Sequence, residues 1–514
     1  MTQHGDITYD YVIAGSGIAG LICACYLSMQ GQKVIVLEKN HQIGGALQVF
    51  SRDKKIFDTG VHYIGSLGAG ETLHNLYGFL GIIDYLNFAP LEQRGFDRVI
   101  FSGDKTEYFL SQGWNNFYLD LIKYFPNEAE GIDKLISKIK QTVALFGPYF
   151  LRPLDDGGIA IEVLSEKLSS VFNQLSFSDK LIAVLTGNSI LYGYAKAKTP
   201  FYVFALILNS YVTGAYRMIR GGSQIAKALS RRINQLGGTI IKYAEVTSFN
   251  YEDGRIIDCT VKGKGSIHGK NFISNFHPKC TTDMLHPNPL RSGYLLRLDS
   301  LQNTTSFVTV HLSLEQDKVP YFNYNKYIIN DGCIAGKIQD QIDASWPQHF
   351  LLCTGREWVN QEFASTLTVL AFANFSQFDP WNESANTVST PAERGESYAK
   401  FKNGIIAQVL QQLDEHYPGI AGWVRHKECS TPLTIRDFLG QPSGAAYGYE
   451  KDANDILRCM ISPATKIDNL FLTGQNTDLH GIYGASISAL LTLERTPHGG
   501  QIWQDIRTSL EQVS

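Results

Sequence analysis

One stretch near the amino terminus constrains the fold of this chain more than any other. It reads YDYVIAGSGIAGLICACYLSMQGQKVIVLEKNHQIGG, which predicts a strand at Tyr11–Ala14, a glycine turn and a helix at about Ala19–Gln30. The turn has the spacing G-x-G-x-x-G, carried by Gly15, Gly17 and Gly20. In such a turn the first glycine permits the sharp bend, the second lets a pyrophosphate approach the backbone, and the third lets the helix pack closely. The N–H groups at the start of the helix then point at the phosphate.

An acid follows at the distance that this motif requires. Val34–Leu37 is predicted to form a second strand, and Glu38 stands 18 residues after Gly20. A carboxylate at that point accepts hydrogen bonds from both ribose hydroxyls of an adenosine and repels a 2′-phosphate. A glycine motif alone is a weak signal, but the preceding strand, the following helix and the acid together predict a bound adenine dinucleotide.

A second glycine pair, Gly44–Gly45, comes six residues after the acid. With the first motif it resembles the signature of the large FAD family that includes amine oxidases and phytoene desaturases, in which this turn continues along the pyrophosphate toward the flavin. The resemblance favours FAD over NAD. Most members carry Arg after the pair, whereas this chain has Ala46, a departure shared by the retinol saturase and carotenoid isomerase branch. The alternative interpretation of the pair is an ordinary surface turn.

The composition is that of a globular protein with two or three domains. The chain has 514 residues, of which 44% are hydrophobic and 18% charged, and its net charge is −4. Because there is no basic field, nucleic acid is not expected as a partner. The eight cysteines show no C-x-x-C pair and no metal-ligand spacing. We therefore predict reduced thiols, no metal site and a cytoplasmic location.

Three further segments extend the family resemblance over nearly the whole chain. Residues 57–65 (FDTGVHYIG), 221–229 (GGSQIAKAL) and 470–490 (LFLTGQNTDLHGIYGASISAL) are similar to segments of the phytoene desaturase family, nearest the retinol saturases and carotenoid isomerases. The resemblance implies an α/β fold in which a split Rossmann-like FAD-binding domain of the glutathione-reductase type joins an α+β substrate domain. It also implies a hydrophobic tunnel that leads to the flavin.

The two predicted domains are interleaved along the chain. The FAD-binding domain is predicted to comprise residues 1–75, 216–285 and 430–514. The substrate-binding domain is predicted to comprise residues 76–215, which read as mostly helical, and residues 286–429.

The predicted FAD contacts come from the glycine turns, the ribose acid and the last motif. The set is Gly15, Gly17, Ile18, Ala19, Gly20, Glu38, Lys39, Gly44, Gly45, Ala46, Val246, Gly474, Gln475, Gly481 and Ile482. Gly481 opens a predicted helix whose N–H groups would favour negative charge at the flavin N1 and O2 edge. The resemblance implies that the backbone at Val246 contacts the adenine. The family often has an acid where this chain has Gln475, so one contact on the ribityl or phosphate side departs from the family pattern.

Four side chains are candidates for chemistry beside the flavin. His62 and Tyr63 follow the Asp-Thr-Gly turn, Tyr447 lies in GQPSGAAYGYE, and His480 lies in the last motif. Saturation of a double bond requires a proton, which His62, Tyr63 or His480 could deliver at neutral pH. His62 is also plausible as a structural hydrogen-bonding residue.

An uncharged segment, Thr199–Tyr216, bears on the substrate. It is only marginally long enough to span a membrane, so we predict a buried helix that lines a cavity. Its aromatic side chains would suit a polyene, although core packing explains them equally well; they are Phe201, Tyr202, Phe204 and Tyr211.

A second segment, Ile132–Phe146, is amphipathic, with its apolar residues on one face and its lysines elsewhere. One interpretation is a helix packed on the substrate domain, and the other is a basic helix resting on a membrane surface. The predicted partners are therefore a hydrophobic small molecule and, peripherally, the inner face of a membrane. The sequence leaves the oligomeric state open.

The leading hypothesis is an FAD-dependent oxidoreductase that saturates or desaturates a long apolar polyene or isoprenoid lipid by hydride transfer. The alternatives are a non-redox cis–trans carotenoid isomerase that uses reduced FAD, a flavin amine oxidase, and a flavin-bearing protein that carries lipid without turnover. No second strand, G-x-G-x-x-G turn and helix is found for a nicotinamide cofactor; GKGSIHG at residues 263–269 lies in a predicted hairpin. The redox direction therefore stays open.

Overall fold

A computed structural model describes residues 7–193, 195–330 and 340–513. Within these residues the strands are Tyr9–Ala14 (β1), Val34–Leu37 (β2), Val49–Arg52 (β3), Lys55–Asp58 (β4), Ile64–Gly65 (β5), Phe88–Pro90 (β6), Asp97–Phe101 (β7), Glu107–Leu110 (β8), Ala215–Met218 (β9), Thr239–Ile241 (β10), Val246–Glu252 (β11), Arg255–Val261 (β12), Gly265–Ser274 (β13), Leu285–His286 (β14), Ser306–Leu314 (β15), Asn325–Ile329 (β16), His349–Thr354 (β17), Thr366–Ala373 (β18), Val424–Ser430 (β19) and Leu470–Leu472 (β20).

The α-helices in the same residues are Ile18–Met29 (α1), Thr72–Phe79 (α2), Trp114–Tyr124 (α3), Ala129–Ala144 (α4), Ile161–Ser165 (α5), Leu168–Gln174 (α6), Asp179–Leu185 (α7), Phe201–Thr213 (α8), Ser223–Gln235 (α9), Pro278–Asp283 (α10), Ser292–Ser300 (α11), Gly395–Asp414 (α12), Pro432–Leu439 (α13), Ile456–Cys459 (α14), Gly481–Glu494 (α15) and Ile502–Val513 (α16). The predicted elements of the first motif are confirmed, with β2 ending at the residue before Glu38.

The first sheet has eight strands in the order β10-β2-β1-β13-β12-β11-β14, with β20 paired to β13. Strands β10, β2, β1, β13 and β20 run parallel to one another. Helix α1 packs against both α9 and α15. Parallel strands covered by helices become continuous apolar runs, and β1 and β2 are buried almost throughout. The carboxyl ends of strands from three distant parts of the chain therefore meet at one edge.

The second sheet has seven strands in the order β19-β15-β18-β17-β16-β7-β8 and is antiparallel except where β16 pairs with β7. Every residue of β15 and β18 is buried. Residues 76–215, predicted to be mostly helical, also supply β7 and β8 to this sheet. Strand β7 has the alternating burial of a half-buried strand, but it is only five residues long, so it gives a weak periodic signal in the sequence.

The two apolar segments of uncertain role are both packed helices. Helix α8 is 13 residues long and buried along most of its length. Helix α4 turns its apolar face, including Ile132, Leu135 and Ile139, into the core and packs on α8. Among the residues that the structure describes, no helix has the length and apolar character that crossing a membrane requires.

The strands of the first sheet come from residues 9–37, 239–286 and 470–472. The sheet is thus assembled from three separate stretches of chain. The limits of the two domains stay a prediction.

Candidate cofactor and substrate site

The first glycine turn leaves no room for side chains. Gly15 has a φ of +96°, a conformation that favours glycine. A Cβ on Gly20 would overlap the carbonyl oxygen of Gly15, and a Cβ on Gly17 would lie 2.6 Å from Nδ2 of Asn275. Helix α1 begins directly after Gly17 and has no side-chain cap. Its first N–H groups and the positive end of its dipole are therefore available to an anion.

The second glycine turn is in direct contact with the first. The N–H of Gly44 donates to both the carbonyl oxygen and Oγ of Ser16, each at 3.1 Å. Gly44 and Gly45 have φ values of +112° and +58°, and a Cβ on Gly45 would lie 3.2 Å from Cα of Gly17. The pair is thus joined to the nucleotide-binding turn and is not an independent surface turn. Ala46, which follows it, is exposed.

Glu38 is fixed beside the first turn and is only 5% exposed. Its Oε2 accepts hydrogen bonds from N and Oγ of Ser16 at 3.1 and 2.5 Å, and its Oε1 accepts one from N of Asn40 at 2.8 Å. A carboxylate oxygen accepts about two hydrogen bonds, so Oε1 keeps capacity for a ribose hydroxyl. The carbonyl of Glu38 accepts from N of Ala244, which brings the buried Val246 to the same side of the site.

Lys39, also predicted to contact the cofactor, directs its ammonium elsewhere. Its Nζ donates to the carbonyl oxygen of Asp437 at 2.7 Å. Burial lowers the pKa of this ammonium group. The side chain therefore ties the nucleotide-binding sheet to helix α13.

The carboxyl-terminal glycine turn lies next to the first one. In β13, Ser274 is paired with Ala14 on one side and with Leu472 on the other. Asn275 therefore lies between the two turns, and a Cβ on Gly474 would be 2.7 Å from its Oδ1. The N–H of Gly474, whose φ is +102°, donates to Oγ of Ser488 in α15. Gln475 follows and is half-buried.

The position of Asn275 between the glycine turns is a feature of the candidate site that sequence reasoning missed. The sequence places it only at the end of a predicted strand, and its amide gains significance because the glycine turns of β1 and β20 lie on either side of it. The signal available in the sequence is its place directly after a parallel strand, since such ends converge at one edge of a sheet.

Helix α15 begins at the same edge. Gly481, its first residue, is exposed and has a φ of +72°, and the preceding His480 provides no side-chain cap. Gly484 lies so close to the backbone of Leu479 that a side chain there would overlap it. Helices α1 and α15 thus offer two uncapped amino termini, one directly after Gly17 and the other seven residues after Gly474, an arrangement that fits a long molecule with an anion at one end and an electron-rich ring edge at the other.

A cavity opens beside the start of α15. Its lining residues are Tyr63, Ile64, Gly65, Tyr149, Leu191, Leu206, Ile207, Ser210, Tyr211, Leu479, His480, Gly481, Ile482, Tyr483 and Gly484. They are apolar and aromatic with few polar groups, as in most small-molecule sites. Two of the four candidates for chemistry, Tyr63 and His480, line this cavity, and so do the predicted flavin-edge residues Gly481 and Ile482.

His480 and Tyr447 are stacked, with ring centroids 3.9 Å apart. The Nε2 of His480 lies 2.7 Å from the carbonyl oxygen of Leu191, which can only accept, so Nε2 carries the proton. Burial lowers the pKa of His480 to about 4, so the ring is neutral at neutral pH. The hydroxyl of Tyr447 donates to the carbonyl oxygen of Ile190 at 2.8 Å.

His62 lies apart from this cavity. Burial and the nearby charge of Arg217 lower the pKa of His62 to about 4. Its ring lies near that of His311, whose pKa falls to about 3 through burial and the proximity of His62. Residues 57–65 and 221–229, two of the segments that carry the family resemblance, are in contact near His62. There, Oδ1 of Asp58 accepts a hydrogen bond from N of Gly222 at 2.7 Å. Like His480, His62 is held neutral and has no cationic form to donate at neutral pH.

Tyr63 is joined to a buried acid for which the sequence carries no motif. Its hydroxyl donates to Oδ2 of Asp97 at 2.9 Å and lies 2.7 Å from the hydroxyl of Tyr327. Asp97 has no exposed surface, and burial raises its pKa to about 7. Sequence reasoning missed Asp97 because a single acid at the start of a short strand gives no local signal.

The predicted aromatic lining is only partly formed. Of the four aromatic residues predicted on α8, Tyr211 lines this cavity, and its ring lies 4.5 Å from that of Tyr63. Tyr202 stacks on Phe146, and Phe204 packs against Phe172. The last two contacts are core packing, the alternative that the sequence left open.

The described part of the chain shows no metal-binding cluster. It contains no group of three or more His, Cys, Asp or Glu side chains placed to hold a metal ion. Its cysteines are free thiols, and Cys23 and Cys25 are buried in α1.

Residues 13–80 match the NAD(P)-binding Rossmann-like domain family. The chain is 27% identical to an all-trans-retinol 13,14-reductase of Danio rerio and 27% identical to that of Homo sapiens, over 94% of this chain and 84% of each relative. It is 23% identical to a chloroplastic prolycopene isomerase of Daucus carota, over 95% of this chain and 80% of the relative.

Solved structures share the fold. An oxidoreductase from Methanosarcina mazei has a TM-score of 0.63 at 15% identity, covering 94% of this chain and 99% of that one. Putrescine oxidase bound to putrescine has a TM-score of 0.60 at 15% identity, covering 99% of each chain. The expected α/β fold class, with its Rossmann-like domain, is confirmed. Over 94–95% of its length the chain is similar to all-trans-retinol 13,14-reductases and prolycopene isomerases, which is consistent with the phytoene desaturase-like family of oxidoreductases.

Proposed function

We propose that the protein is an FAD-dependent oxidoreductase that saturates or desaturates a carbon–carbon bond of a long apolar polyene, of the retinoid or carotenoid class, by hydride transfer. The observation that carries the proposal is that a candidate dinucleotide site and an apolar cavity adjoin one another. The first and the carboxyl-terminal glycine turns flank Asn275 at one edge of the Rossmann-like sheet, and an apolar cavity opens beside α15, the helix that follows the carboxyl-terminal turn. The reductase and isomerase relatives are named for retinol and prolycopene, two apolar polyenes.

The residues present fit FAD. The glycine turns and the start of α1 would hold the pyrophosphate, Oε1 of Glu38 the ribose, and the backbone at Val246 the adenine. The amino terminus of α15, at Gly481 and Ile482, would face the electron-rich edge of the ring system. Bound FAD supplies the two-electron redox chemistry, which no side chain provides.

The protein's own contribution is a dry, shaped surface. The cavity residues that lie on α8 are Leu206, Ile207, Ser210 and Tyr211. They offer an apolar wall against which a polyene can lie and from which water is excluded. The neutral His480 ring keeps Nδ1 as an acceptor, so it can orient a hydroxyl group of the substrate.

Isomerisation is the second candidate, and the similarity to prolycopene isomerases is the observation that favours it. An amine oxidase is less well supported. Putrescine oxidase shares the fold alone, and no carboxylate is among the described residues that line the cavity, so a cationic amine would lack a counter-charge there.

Membrane contact is proposed to be peripheral. The exposed apolar side chains of Leu145, Phe150, Leu154 and Ile161 follow α4, close in sequence to the cavity residue Tyr149. A lipid substrate leaving a bilayer at this surface would enter next to the cavity. We expect the protein to float with vesicles of phosphatidylcholine and phosphatidylglycerol, and the double variant Phe150→Ser, Leu154→Ser to remain in the soluble fraction. The cytoplasmic location stays a prediction.

Purification followed by product analysis tests the proposed function. The protein should carry FAD, or bind it on reconstitution, and show a flavin absorption spectrum. Reduced protein is incubated without oxygen with all-trans-retinol or prolycopene, and oxidised protein with the dihydro product. A gain or loss of two hydrogens indicates redox chemistry, and an unchanged mass with altered geometry indicates isomerisation. A protein that remains colourless after FAD reconstitution contradicts the proposal.

A further inference from the structure

Asp97 is a buried acid in direct contact with Tyr63, a residue of the cavity lining. Its Oδ1 accepts from Nδ2 of Asn325 at 2.8 Å, and its Oδ2 accepts from Tyr63 at 2.9 Å and from Nδ2 of Asn188 at 3.3 Å. All three partners are uncharged. Within the described residues the carboxyl group is therefore buried without a cation in hydrogen-bond contact.

A second tyrosine of the lining also contacts an acid, and there too the charge of a nearby cation acts on the carboxyl group. Tyr149 donates to Oδ2 of Asp478 at 2.9 Å, and the positive charge of Lys451 acts on that carboxyl group. Among the described residues, no second hydroxyl group lies within hydrogen-bond distance of the Tyr149 hydroxyl, as that of Tyr327 does for Tyr63. Tyr63 and Asp97 therefore form the better path for a proton.

The hydrogen bonds that join Asp97, Tyr63 and Tyr327 can run in two directions. With Asp97 ionised, the Tyr327 hydroxyl donates to Tyr63, and Tyr63 donates to Asp97. With Asp97 protonated, its hydroxyl donates to Tyr63, and Tyr63 is free to donate onward. Both arrangements use the same heavy-atom positions, so a proton can move along the chain by reorienting hydroxyl groups without moving the backbone.

The positive charge that acts on Asp97 is that of Arg217, which is 3% exposed. Its guanidinium donates to Oδ1 of Asn325, the residue that also donates to Asp97. The charge favours the carboxylate of Asp97, whereas burial favours the acid and is the larger effect, so the pKa of Asp97 is raised to about 7. The group can therefore hold a proton at neutral pH and can also release it.

We propose that Asp97 stores, and Tyr63 delivers, the proton that reaches one carbon of the polyene when hydride reaches its neighbour. The inference rests on the proposed function and deepens it by naming the acid. In saturation, bound reduced FAD would supply the hydride, and with it the two electrons of the first C–H bond. The π electrons of the double bond take the proton of the Tyr63 hydroxyl and form the second C–H bond. Tyr63 regains a proton from Asp97, and the Asp97 carboxylate regains one from water.

The first test reads the proton directly and needs no turnover. Infrared spectra of the FAD-loaded protein should contain a carboxylic-acid carbonyl band that titrates near pH 7 and is lost in Asp97→Asn. Asp58 and Asp478, whose pKa values burial also raises, should contribute separate bands that persist in this variant. The matched control is Asp258→Asn, which replaces a buried acid on β12 of the other sheet and should leave the band of Asp97 unchanged.

The second test follows saturation of all-trans-retinol. Asp97→Asn and Tyr63→Phe should each lower kcat by about 100-fold, the range of general acid catalysis, with a smaller change in KM. In the wild type kcat should fall as pH rises above 7, because the acid form is the donor, and Asp97→Asn should have no such dependence. Tyr327→Phe should lower kcat less, since it leaves the Tyr63–Asp97 contact intact.

The outcomes separate proton storage from the proposed function. Absence of a titrating band lost in Asp97→Asn overturns the proton store whatever the catalytic results. A band that is present, with unchanged kcat and pH profile in both variants, overturns proton delivery by Tyr63. A wild type that binds no FAD and converts no polyene contradicts the proposed function, and delivery with it, while the infrared titration still decides whether Asp97 stores a proton.

Discussion

The cofactor edge and the cavity wall are built on opposite principles. At the cofactor edge, where FAD is proposed to bind, the packing depends on the absence of side chains: Gly17, Gly20 and Gly474 each lie where a Cβ would collide with a neighbour. At the cavity wall, function depends on side chains such as Tyr63 and Asp97, held by hydrogen bonds from several elements. The first region is specified by local spacing, and the second by which distant elements pack together.

The two regions should therefore respond differently to substitution. A methyl group added at the cofactor edge would collide with the backbone of Gly15 or with the side chain of Asn275, which is packed between the first and the carboxyl-terminal turns. A polar group removed at the cavity wall leaves the fold intact but interrupts a network of neutral hydrogen bonds. The following variants test this contrast, beginning with the largest expected effect.

Gly20→Ala should remove most of the bound FAD. The added methyl group would overlap the carbonyl oxygen of Gly15, so either the turn opens or α1 moves away from it. Overpacking of this kind costs about 1–3 kcal/mol, and we expect roughly a tenfold loss of FAD affinity or more. The measurement is the flavin-to-protein absorbance ratio after purification. Gly404→Ala is the matched control, since a Cβ there meets nothing on α12; equal FAD loss in both variants would contradict the steric explanation.

Glu38→Gln should weaken FAD binding without unfolding the protein. The amide keeps the size of the side chain but loses the charge and one of the acceptor oxygens that Ser16 and Asn40 use. Hydrogen bonds to a charged group contribute about 1.5–3 kcal/mol, so we expect the Kd to rise by about 10- to 100-fold. Titration of FAD into the apoprotein measures it. Glu130→Gln, which removes an exposed partner of Lys134, should leave the Kd unchanged.

His349→Gln should make the protein less sensitive to acid. The Nε2 of His349 donates to the carbonyl oxygen of Gly187 at 2.6 Å, and burial lowers its pKa to about 4. The unfolded pKa is about 6.5, so the unfolded state binds more protons and the wild type loses stability as pH falls from 6.5 toward 4. Between about pH 7 and pH 5 the variant should lose about 2 kcal/mol less than the wild type.

Urea unfolding at the two pH values measures this difference. The pH-dependent losses in the free energy of unfolding must be compared between wild type and variant, because other buried groups also titrate. Asp58 and Asp97, with pKa values raised to about 7, act in the opposite direction: they favour the folded state as pH falls through 7. Identical losses in wild type and variant would show that His349 does not titrate on unfolding as proposed.

Tyr447→Phe should have the smallest effect. It removes the hydrogen bond to the carbonyl oxygen of Ile190 and keeps the stacking on His480. We expect a loss of about 1 kcal/mol in the free energy of unfolding, with FAD content unchanged. Thermal or urea unfolding gives the first quantity and absorbance the second. Turnover slowed by about 100-fold at unchanged stability would instead assign Tyr447 a direct part in the chemistry.

Much of the cofactor region could be predicted from the sequence. The spacing of Gly15, Gly17 and Gly20 predicts a turn that the structure contains, and β2 ends directly before Glu38 as expected. Such motifs work because a strand, a turn and a helix that are contiguous in the chain have few ways to pack. The contact between Gly44 and Ser16 joins residues that are 28 positions apart in the chain, and the glycine pair predicts the second turn.

The cavity wall could not be predicted in the same way. Tyr63 and His480 are candidates because they adjoin glycine motifs, but the residues that surround the Tyr63 hydroxyl carry no local signal. His62, equally close to a motif, lies beside Arg217 and away from the cavity. A strand alternates its side chains between two faces, and which face meets the cavity depends on the pairing of β5 with β9 and of β7 with β16.

The amino-acid sequence by itself determined the Rossmann-like unit, the glycine turns at Gly15–Gly20 and Gly44–Gly45, and the resemblance to retinol saturases and carotenoid isomerases, because backbone geometry at glycine and apolar periodicity act over a few residues. The tertiary structure alone decided that Asn275 lies between the first turn and the carboxyl-terminal turn at Gly474, that Tyr63 donates to Asp97, and that His62 and His480 are neutral. Those features depend on burial and on contacts between residues far apart in the chain. Desolvation and long-range hydrogen bonding exist only once the chain is folded.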